Sequence, residues 1–79
     1  MDMKKLRERV KKRPETIASE LNVALSTVRN WESGRHEPRL PLTQIPDFLK
    51  AYDCTLEEAI AAAMGSYAQF HGKGVEVKP

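Results

Sequence analysis

The strongest constraint on the fold comes from residues 24–34, which read Ala-Leu-Ser-Thr-Val-Arg-Asn-Trp-Glu-Ser-Gly. Wound as a helix at about 100° per residue, this segment places Ala24, Val28 and Trp31 on one side. The opposite side carries the polar residues Ser26, Arg29, Asn30 and Ser33. Gly34 can adopt a positive φ and end the helix. We therefore predict a helix with one face buried in a core and a hydrogen-bonding face left outside.

This polar face carries hydroxyls and forked side chains instead of the Glu, Lys and Gln that are typical of a solvated helix. An Asn amide matches the donor and the acceptor of adenine, and an Arg guanidinium matches the two acceptors of guanine. Because Arg35, His36 and Arg39 follow at once, the helix leads into a basic loop. The pattern favours a helix that reads base edges, although a solvated helix face has the same periodicity.

The charge of the chain is distributed unevenly. Its 79 residues fit one small domain, and the apolar fraction of 41% and charged fraction of 30% are those of a globular protein. Residues 1–39 hold ten Lys or Arg against six Asp or Glu, whereas residues 40–79 hold three against five. The basic half contains the predicted reading helix, as a phosphate-facing surface requires. A solvated basic helix gives the same count.

The sequence lacks the signals of a membrane span, a signal peptide, a zinc site and several classes of enzyme. No apolar run approaches the roughly 20 residues that span a bilayer, and the Met-Asp-Met-Lys-Lys start lacks a signal-peptide core, so we expect a cytoplasmic protein. Cys54 is the single cysteine, and with His36 and His71 it gives no zinc spacing; we expect a buried, reduced thiol. Motifs of phosphate loops, serine hydrolases and zinc proteases are absent. We therefore expect no enzyme activity, metal or cofactor.

Two short helices are predicted before residue 24. Asp2 can cap the first, which we expect to end near residues 12–13. Its inward residues are Met3, Leu6 and Val10. Pro14 suits the first position of a second helix, which runs to Leu21. Its inward residues are Ile17, Ala18 and Leu21. Asn22 adopts the left-handed conformation cheaply and can reverse the chain before the third helix.

A short helix, a tight turn and a second helix with a polar face form a helix-turn-helix. The residues that carry a family pattern are Ile17-Ala18, Leu21-Asn22-Val23, Ser26 to Gly34 and Pro38. At these positions the chain resembles the Cro and phage-repressor helix-turn-helix family, also called the xenobiotic-response-element type, over roughly residues 3–64. The resemblance implies an all-α, lambda-repressor-like bundle of about five short helices. It also implies a third helix in the major groove and a second lying across the DNA backbone.

The resemblance further assigns roles to individual residues. It implies base contacts from Leu25, Ser26, Arg29 and Asn30. It implies phosphate contacts from Ser33 and Arg35, and it pairs Arg7 with Glu32 in a structural ion pair. Glu32 flanks the buried face, and a partly buried carboxylate needs a partner.

The chain departs from the family pattern at the start of the second helix. Pro14 stands where the family usually has a Gln that donates to a phosphate, and proline has no donor. We expect Arg13 or Thr16 to replace that contact, unless it is lost. His36 and Arg39 in the exit loop are further phosphate candidates, with His36 alternatively a plain exposed loop residue.

Three other positions also depart from the family. Lys12 stands where the family favours an apolar residue. Ala24 replaces a capping Ser, a loss that costs about 1 kcal/mol. Leu25, usually polar in relatives, either touches a thymine methyl or packs against the protein.

The second half of the chain predicts two more helices after a proline-punctuated connection at residues 35–45. Because Pro46 disfavours the α region for Ile45, we start the fourth helix near Pro46. Its buried residues are Phe48, Leu49 and Tyr52. The segment 55–58 is a capping box, which begins a fifth helix that we expect to end at about Met64, just before a glycine. The fifth helix should turn Leu56, Ala59, Ile60 and Ala63 toward the core or a partner.

These predictions divide the chain into a helix-turn-helix DNA-binding domain at residues 1–64 and a tail at residues 65–79. The tail contains Tyr67, Phe70 and a short strand-like alternation at residues 75–77. Three readings of it stay open: it is disordered, it pairs as a strand across a dimer, or it binds another protein.

Our first hypothesis is a sequence-specific DNA-binding transcriptional regulator of prokaryotic or phage type, acting as a repressor at the nucleoid. Because one reading helix covers only a few base pairs, we expect a homodimer on a near-palindromic duplex. The alternative is a protein-interaction module, such as an antitoxin or co-regulator, that docks a partner through residues 56–77. The first hypothesis requires that Val28 and Trp31 be buried and that Arg29 and Asn30 point outward.

Overall fold

The computed structural model describes residues 1–71, and these form an all-α bundle without a strand. The elements are α1 (Met3–Arg9), α2 (Pro14–Leu21), α3 (Leu25–Ser33), a 3-10 turn (Leu42–Gln44), α4 (Ile45–Tyr52) and α5 (Leu56–His71). The predicted fold class of about five helices is therefore confirmed. The strand-like alternation predicted in the tail lies outside the described residues.

One apolar core joins all five helices. Its buried members are Met3, Leu6, Ile17, Ala18, Leu21, Val28, Trp31, Phe48, Ala51, Tyr52, Ala59 and Ala62. The ring centroids of Trp31 and Phe48 lie 5.7 Å apart, and those of Phe48 and Tyr52 lie 4.9 Å apart. Aromatic contacts therefore connect α3 to α4. Most of the predicted inward residues are in this core. Leu49 is half-buried and packs against it, and Val10 is half-buried.

The first helix is shorter than predicted. It ends at Arg9, Val10 caps it, and Lys11 follows in the left-handed region with φ 59°. The guanidinium of Arg7 donates to the carbonyl of Lys12 at 2.9 Å, which fixes the chain outside a helical path. The expected end near residues 12–13 is therefore wrong, because the left-handed backbone at Lys11 interrupts the helical path.

The connection between α2 and α3 follows the local sequence signals. Pro14 occupies the first turn of α2, and Asn22 ends that helix in the left-handed conformation (φ 56°, ψ 47°). The Val23 amide donates to the carbonyl of Ala18 at 3.0 Å, which closes the reverse turn. The Val23 side chain then packs against the core. The predicted helix-turn-helix geometry is thus present.

The start of α4 differs from the prediction. Ile45 has φ −57° and ψ −43°, inside the α region that the following proline disfavours. The preceding 3-10 turn leads the chain directly into this conformation, and the Gln44 side chain donates to the carbonyl of Leu21 at 3.0 Å. Tertiary contacts therefore override the local restriction.

The fifth helix begins as predicted but does not end at the glycine. The Thr55 amide donates to the Glu58 carboxylate at 3.0 Å and the Glu58 amide donates to the Thr55 hydroxyl at 3.1 Å, which is the capping box. The helix continues through Gly65 to His71, so the expected end at Met64 is wrong. A Cβ on Gly65 would lie 2.0 Å from the carbonyl oxygen of Met1. The glycine is therefore needed for close approach of two backbones.

Residues 65–71, which we call the C-terminal clasp, hold the start of the chain against α5. The Met3 amide donates to the hydroxyl of buried Ser66 at 2.8 Å. The side-chain amide of Gln69 donates to the carboxylate of Asp2 at 3.0 Å. Asp2 also caps α1, because its carboxylate accepts a hydrogen bond from the backbone amide of Lys5. These hydrogen bonds lower the pKa of Asp2, the backbone bond from Lys5 most strongly. The described part of the sequence-predicted tail thus packs as helix on the bundle.

Two smaller findings concern Cys54 and the bilayer. Cys54 is half-buried, less than expected, and this burial raises the pKa of its thiol. Across residues 1–71, no helix is both long and apolar enough to cross a membrane.

Candidate nucleic-acid interface

The third helix has the orientation that its sequence predicts. Val28 is fully buried and Trp31 is 3% exposed, while Arg29 on the opposite side is exposed. Ala24, predicted to face inward, is exposed instead. Its backbone is extended (φ −69°, ψ 150°) at the N-cap, so its side chain does not follow the helical period. The buried anchors nevertheless turn the polar face of α3 away from the core.

The four candidate base-contacting residues lie on the outer and flanking surfaces of α3. Ser26 and Arg29 are exposed, whereas Asn30 and Leu25 are half-buried. Leu25 is the first residue of the helix, at the end nearest the turn. The structure thus leaves a short ridge of mixed hydroxyl, guanidinium, amide and methyl groups. Their contacts with DNA stay predictions.

The phosphate candidates lie at both ends of the helix-turn-helix. Arg13 is exposed at the N-cap of α2, and Thr16 is half-buried one turn later. Arg35, His36 and Arg39 are exposed in the exit loop. The two groups therefore precede and follow α3 along the chain, and their contacts with phosphates stay predictions.

Ser33 is the one phosphate candidate whose hydroxyl is already engaged. It donates to the carbonyl of Asn30 at 3.2 Å and accepts from the Arg35 amide at 3.3 Å. Since a hydroxyl has a single proton, a bond to phosphate would replace the bond to Asn30.

The exit loop is folded back along the end of α3. Gly34 has φ 84°, and its amide donates to the Asn30 and Trp31 carbonyls at 3.1 and 3.2 Å. The His36 amide donates to the same Asn30 oxygen at 3.3 Å. A Cβ on Gly34 would lie 1.8 Å from the carbonyl oxygen of Ser66, so the loop also rests directly on α5. Positive φ and close approach both require glycine at this position.

A groove beside α3 brings several of the candidates together. Its volume is about 420 Å³, and its rim carries Asn30, Arg35, His36 and Arg39. Thr27 lines the same groove, three residues before Asn30 on one side of the helix. Sequence reasoning missed Thr27, although its i, i+3 spacing to Asn30 was a signal for it.

The ion pair that the resemblance assigns is present. The Nε of Arg7 lies 2.5 Å from Oε2 of Glu32, and its Nη2 donates to Oε1 at 3.1 Å. Both side chains are 11% exposed. The hydrogen bond with Glu32 raises the pKa of Arg7. This bidentate ion pair joins the end of α3 to α1, so the Arg7 guanidinium is not available for a contact with DNA.

Two further cations of the basic run at residues 4–13 hold the bundle together. Lys12 donates to the Glu20 carboxylate at 2.8 Å and to the Ala51 carbonyl at 2.7 Å, near the end of α4. Arg9 donates to both oxygens of Glu58, at 3.0 and 3.1 Å, which with the Thr55 amide lowers the pKa of Glu58 to about 2. Sequence reasoning missed both pairs, because Glu20 lies eight residues from Lys12 and Glu58 lies 49 residues from Arg9, beyond the three- or four-residue spacing of neighbours on one helix. Besides Arg9, the exposed cations of this run are Lys4, Lys5, Lys11 and Arg13.

Comparison with known proteins gives one finding. A family model described as helix-turn-helix matches residues 3–59. No curated protein and no solved structure matches the chain. The matched residues include α1 to α4, the start of α5 and every candidate base-contacting residue.

Proposed function

Because the chain belongs to the Cro/C1-type helix-turn-helix family, we propose that it is a sequence-specific transcriptional repressor that binds double-stranded DNA. Membership of this family indicates a DNA-binding regulator. The observation that carries the finer proposal is the orientation of α3, whose buried Val28 and Trp31 turn Arg29 outward. Such a regulator acts at the nucleoid of a prokaryotic cell.

In this proposal α3 lies in the major groove. Arg29 reads guanine and Asn30 reads adenine, because their forked groups match two atoms of each base. Ser26 and Leu25 complete the base-contacting ridge, Ser26 by hydrogen bonding and Leu25 through a thymine methyl. The phosphate contacts come from Arg13, Thr16, Ser33, Arg35, His36 and Arg39, with Thr27 as an added neighbour.

The proposal includes a homodimer. A single α3 of nine residues reaches only a few base pairs. Two copies related by a twofold axis read a near-palindrome whose half-sites are about 34 Å apart, one turn of B-DNA.

The decisive experiment is selection from random-sequence duplexes with the purified protein. An enriched palindrome supports the proposal and gives the site, its symmetry and its spacing together. Arg29→Ala and Asn30→Ala should then each weaken binding to the selected site by about 1 to 3 kcal/mol, with non-specific binding nearly unchanged. Lys11→Ala, an exposed cation outside the proposed surface, is the matched control. If nothing is enriched at low salt, the proposal fails.

A second candidate function is favoured by the exposed apolar residues of α5. Leu56, Ile60 and Met64 are all at least half exposed, as on a surface that docks another protein. In this reading the chain is an interaction module such as an antitoxin or co-regulator. The dependence of binding on salt separates the two functions. A DNA complex weakens log-linearly, with a slope near −0.9 per phosphate, whereas apolar docking responds little.

A further inference from the structure

Two grooves of the surface adjoin where the exit loop passes α5. The first, which we call the apolar groove, has a volume of about 540 Å³ and lies between α4 and α5. The second, which we call the polar groove, is the groove of about 420 Å³ beside α3. Glu37, Leu40 and Tyr67 line both grooves. A molecule that occupies both therefore touches α5 with one end and α3 with the other.

The apolar groove presents almost only hydrocarbon and aromatic surface. Its α5 wall carries Leu56, Ile60 and Met64, which are 51%, 50% and 67% exposed. Residues 59–70 include no charged residue. Within residues 1–71, Glu37 is the single charged residue that lines this groove, and it lies where the two grooves adjoin. A groove of this volume and composition is typical of a site that buries the apolar part of a small molecule.

The polar groove combines hydrogen-bond donors with positive charge. The donors come from Thr27, Asn30, Arg35, His36 and Arg39. Glu37 offsets part of the charge, but its contact with Arg39 is 3.9 Å long and joins two exposed side chains. Such a pair is weak, so Arg39 can exchange Glu37 for another anion. A guanidinium donates two parallel hydrogen bonds to a carboxylate or a phosphate.

We infer that the two grooves together bind a small amphiphilic anion. Its carboxylate or phosphate head lies among the donors of the polar groove, and its apolar chain lies in the apolar groove. The reverse orientation would bury the head without a counter-charge, because no cation within residues 1–71 lines the apolar groove. An acidic peptide would need cations along the whole length, whereas here they are confined to one end.

Binding of this anion has a consequence for DNA, and this step rests on the proposed function. Asn30 and Arg35 are proposed DNA contacts, and both line the polar groove. A head group in this groove occupies donors that the DNA complex uses. The anion therefore acts as an inducer that releases the protein from its duplex.

The test of the site is calorimetric titration of the DNA-free protein with decanoate and with decyl phosphate, each below its micelle concentration. At least one of these anions should bind. From hexanoate through octanoate to decanoate, the dissociation constant should fall about fourfold for each added methylene. Decyltrimethylammonium, whose chain has the same length and whose head has the opposite charge, should bind more weakly than the anions by about tenfold or more. Failure of both anions to bind, or equal binding of the cation, overturns the inference.

The fluorescence of Trp31 locates the bound head. Trp31 is the only tryptophan of the chain, and it lines the polar groove but not the apolar one. Its emission should change along the decanoate titration with the dissociation constant that calorimetry gives. Calorimetric binding that leaves the emission unchanged places the head elsewhere and contradicts the inference.

Two substitutions separate the head from the chain of the ligand. Arg39→Gln should weaken decanoate binding and reduce its preference over decyltrimethylammonium, because it removes a cation from the polar groove. Ile60→Glu should weaken decanoate by about tenfold or more, because it places a carboxylate in the apolar groove. Leu42→Glu is the matched control, since Leu42 is 86% exposed and lies outside both grooves. Circular dichroism establishes that each variant keeps its helix content. If Leu42→Glu weakens binding as much as Ile60→Glu, binding is non-specific and the inference fails.

Competition with DNA distinguishes this failure from failure of the proposed function. At a decanoate concentration ten times its dissociation constant, the apparent dissociation constant of the selected duplex should rise about tenfold for the wild type. At the same concentration it should rise little for Ile60→Glu. Decanoate that binds without weakening the duplex contradicts its role as an inducer.

The remaining outcomes assign the failure. A protein that selects a duplex but binds neither anion contradicts the inference while the proposed function stands. A protein that binds decanoate as described but selects no duplex contradicts the proposed function while the binding site stands. Exclusion of decanoate at protein concentrations where sedimentation shows a dimer means that a second copy covers the apolar groove, which also overturns the inference.

Discussion

Replacing Gly65 by alanine should destabilise the protein, although helix propensity alone predicts the opposite. Gly65 lies inside α5, where glycine costs about 1 kcal/mol relative to alanine. The added Cβ, however, would lie 2.0 Å from the carbonyl oxygen of Met1, a backbone atom. Either the bundle keeps the overlap or the start of the chain moves away from α5.

The magnitude follows from the contacts that such a movement breaks. Release of the N-terminus removes the cap that Asp2 gives to α1, worth about 1 kcal/mol. It also removes the hydrogen bond from the Met3 amide to buried Ser66, worth about 1 kcal/mol. After subtraction of the propensity gain, we expect Gly65→Ala to lower the free energy of unfolding by about 1 kcal/mol. For a domain of this size that lowers Tm by about 4 to 8 °C.

The assay is urea unfolding followed by circular dichroism, with two controls. Ala61→Gly, at an exposed position of the same helix, measures the propensity difference without a tertiary contact. A chain that begins at Met3 lacks the Met1 carbonyl, and in it Gly65→Ala should instead stabilise by up to about 1 kcal/mol. If Gly65→Ala stabilises the full chain, the close approach of α5 to the N-terminus is not what selects glycine.

Three further predictions concern the interior and the ion pairs. Glu32→Gln should lower the free energy of unfolding by about 3 kcal/mol, because it leaves the Arg7 guanidinium without its anionic partner. Urea unfolding measures this change, and a change near zero would contradict the prediction. The pKa of Glu58 is lowered from 4.5 to about 2, so the stability that its pair with Arg9 provides is present above pH 4.5 and is lost as the pH falls towards 2. In Glu58→Gln, the melting temperature should therefore change less with pH over this range. A variant with the same pH profile as the wild type would refute the pairing. The Tyr52 hydroxyl is buried and has no hydrogen-bond partner within residues 1–71, and desolvation raises its pKa. Tyr52→Phe should therefore leave the free energy of unfolding unchanged or raise it by about 1 kcal/mol. A clear decrease of that free energy in calorimetry would reveal a partner for the hydroxyl.

The sequence predicted those features whose causes lie within a few residues. Pro14 begins α2, Asn22 and Gly34 end helices in the left-handed region, and the capping box at residues 55–58 begins α5. Each is a backbone preference or a side-chain bond that spans three or four residues. The burial of Val28 and Trp31 followed from helical periodicity in the same way.

The predicted ends of α1 and α5 were wrong because tertiary contacts set the backbone conformation there. α1 ends early because Lys11 adopts the left-handed conformation. Arg7 holds this connection by donating to the carbonyl of Lys12, and it also pairs with Glu32, which lies 25 residues away. α5 continues past Gly65 because the N-terminus packs against that glycine. Local rules identify a glycine as a helix stop, but only the fold shows whether another backbone passes beside it.

For the candidate site, the sequence by itself determined which face of α3 points outward, because one buried tryptophan and one buried valine set the rotation of the helix. Only the tertiary structure decided which cations remain available to DNA. Arg7 and Lys12 are engaged with carboxylates and carbonyls from other helices, whereas Arg13 is exposed at the N-cap of α2. A charge pattern records how many cations a segment has, but their partners are contributed by residues brought near in space by folding.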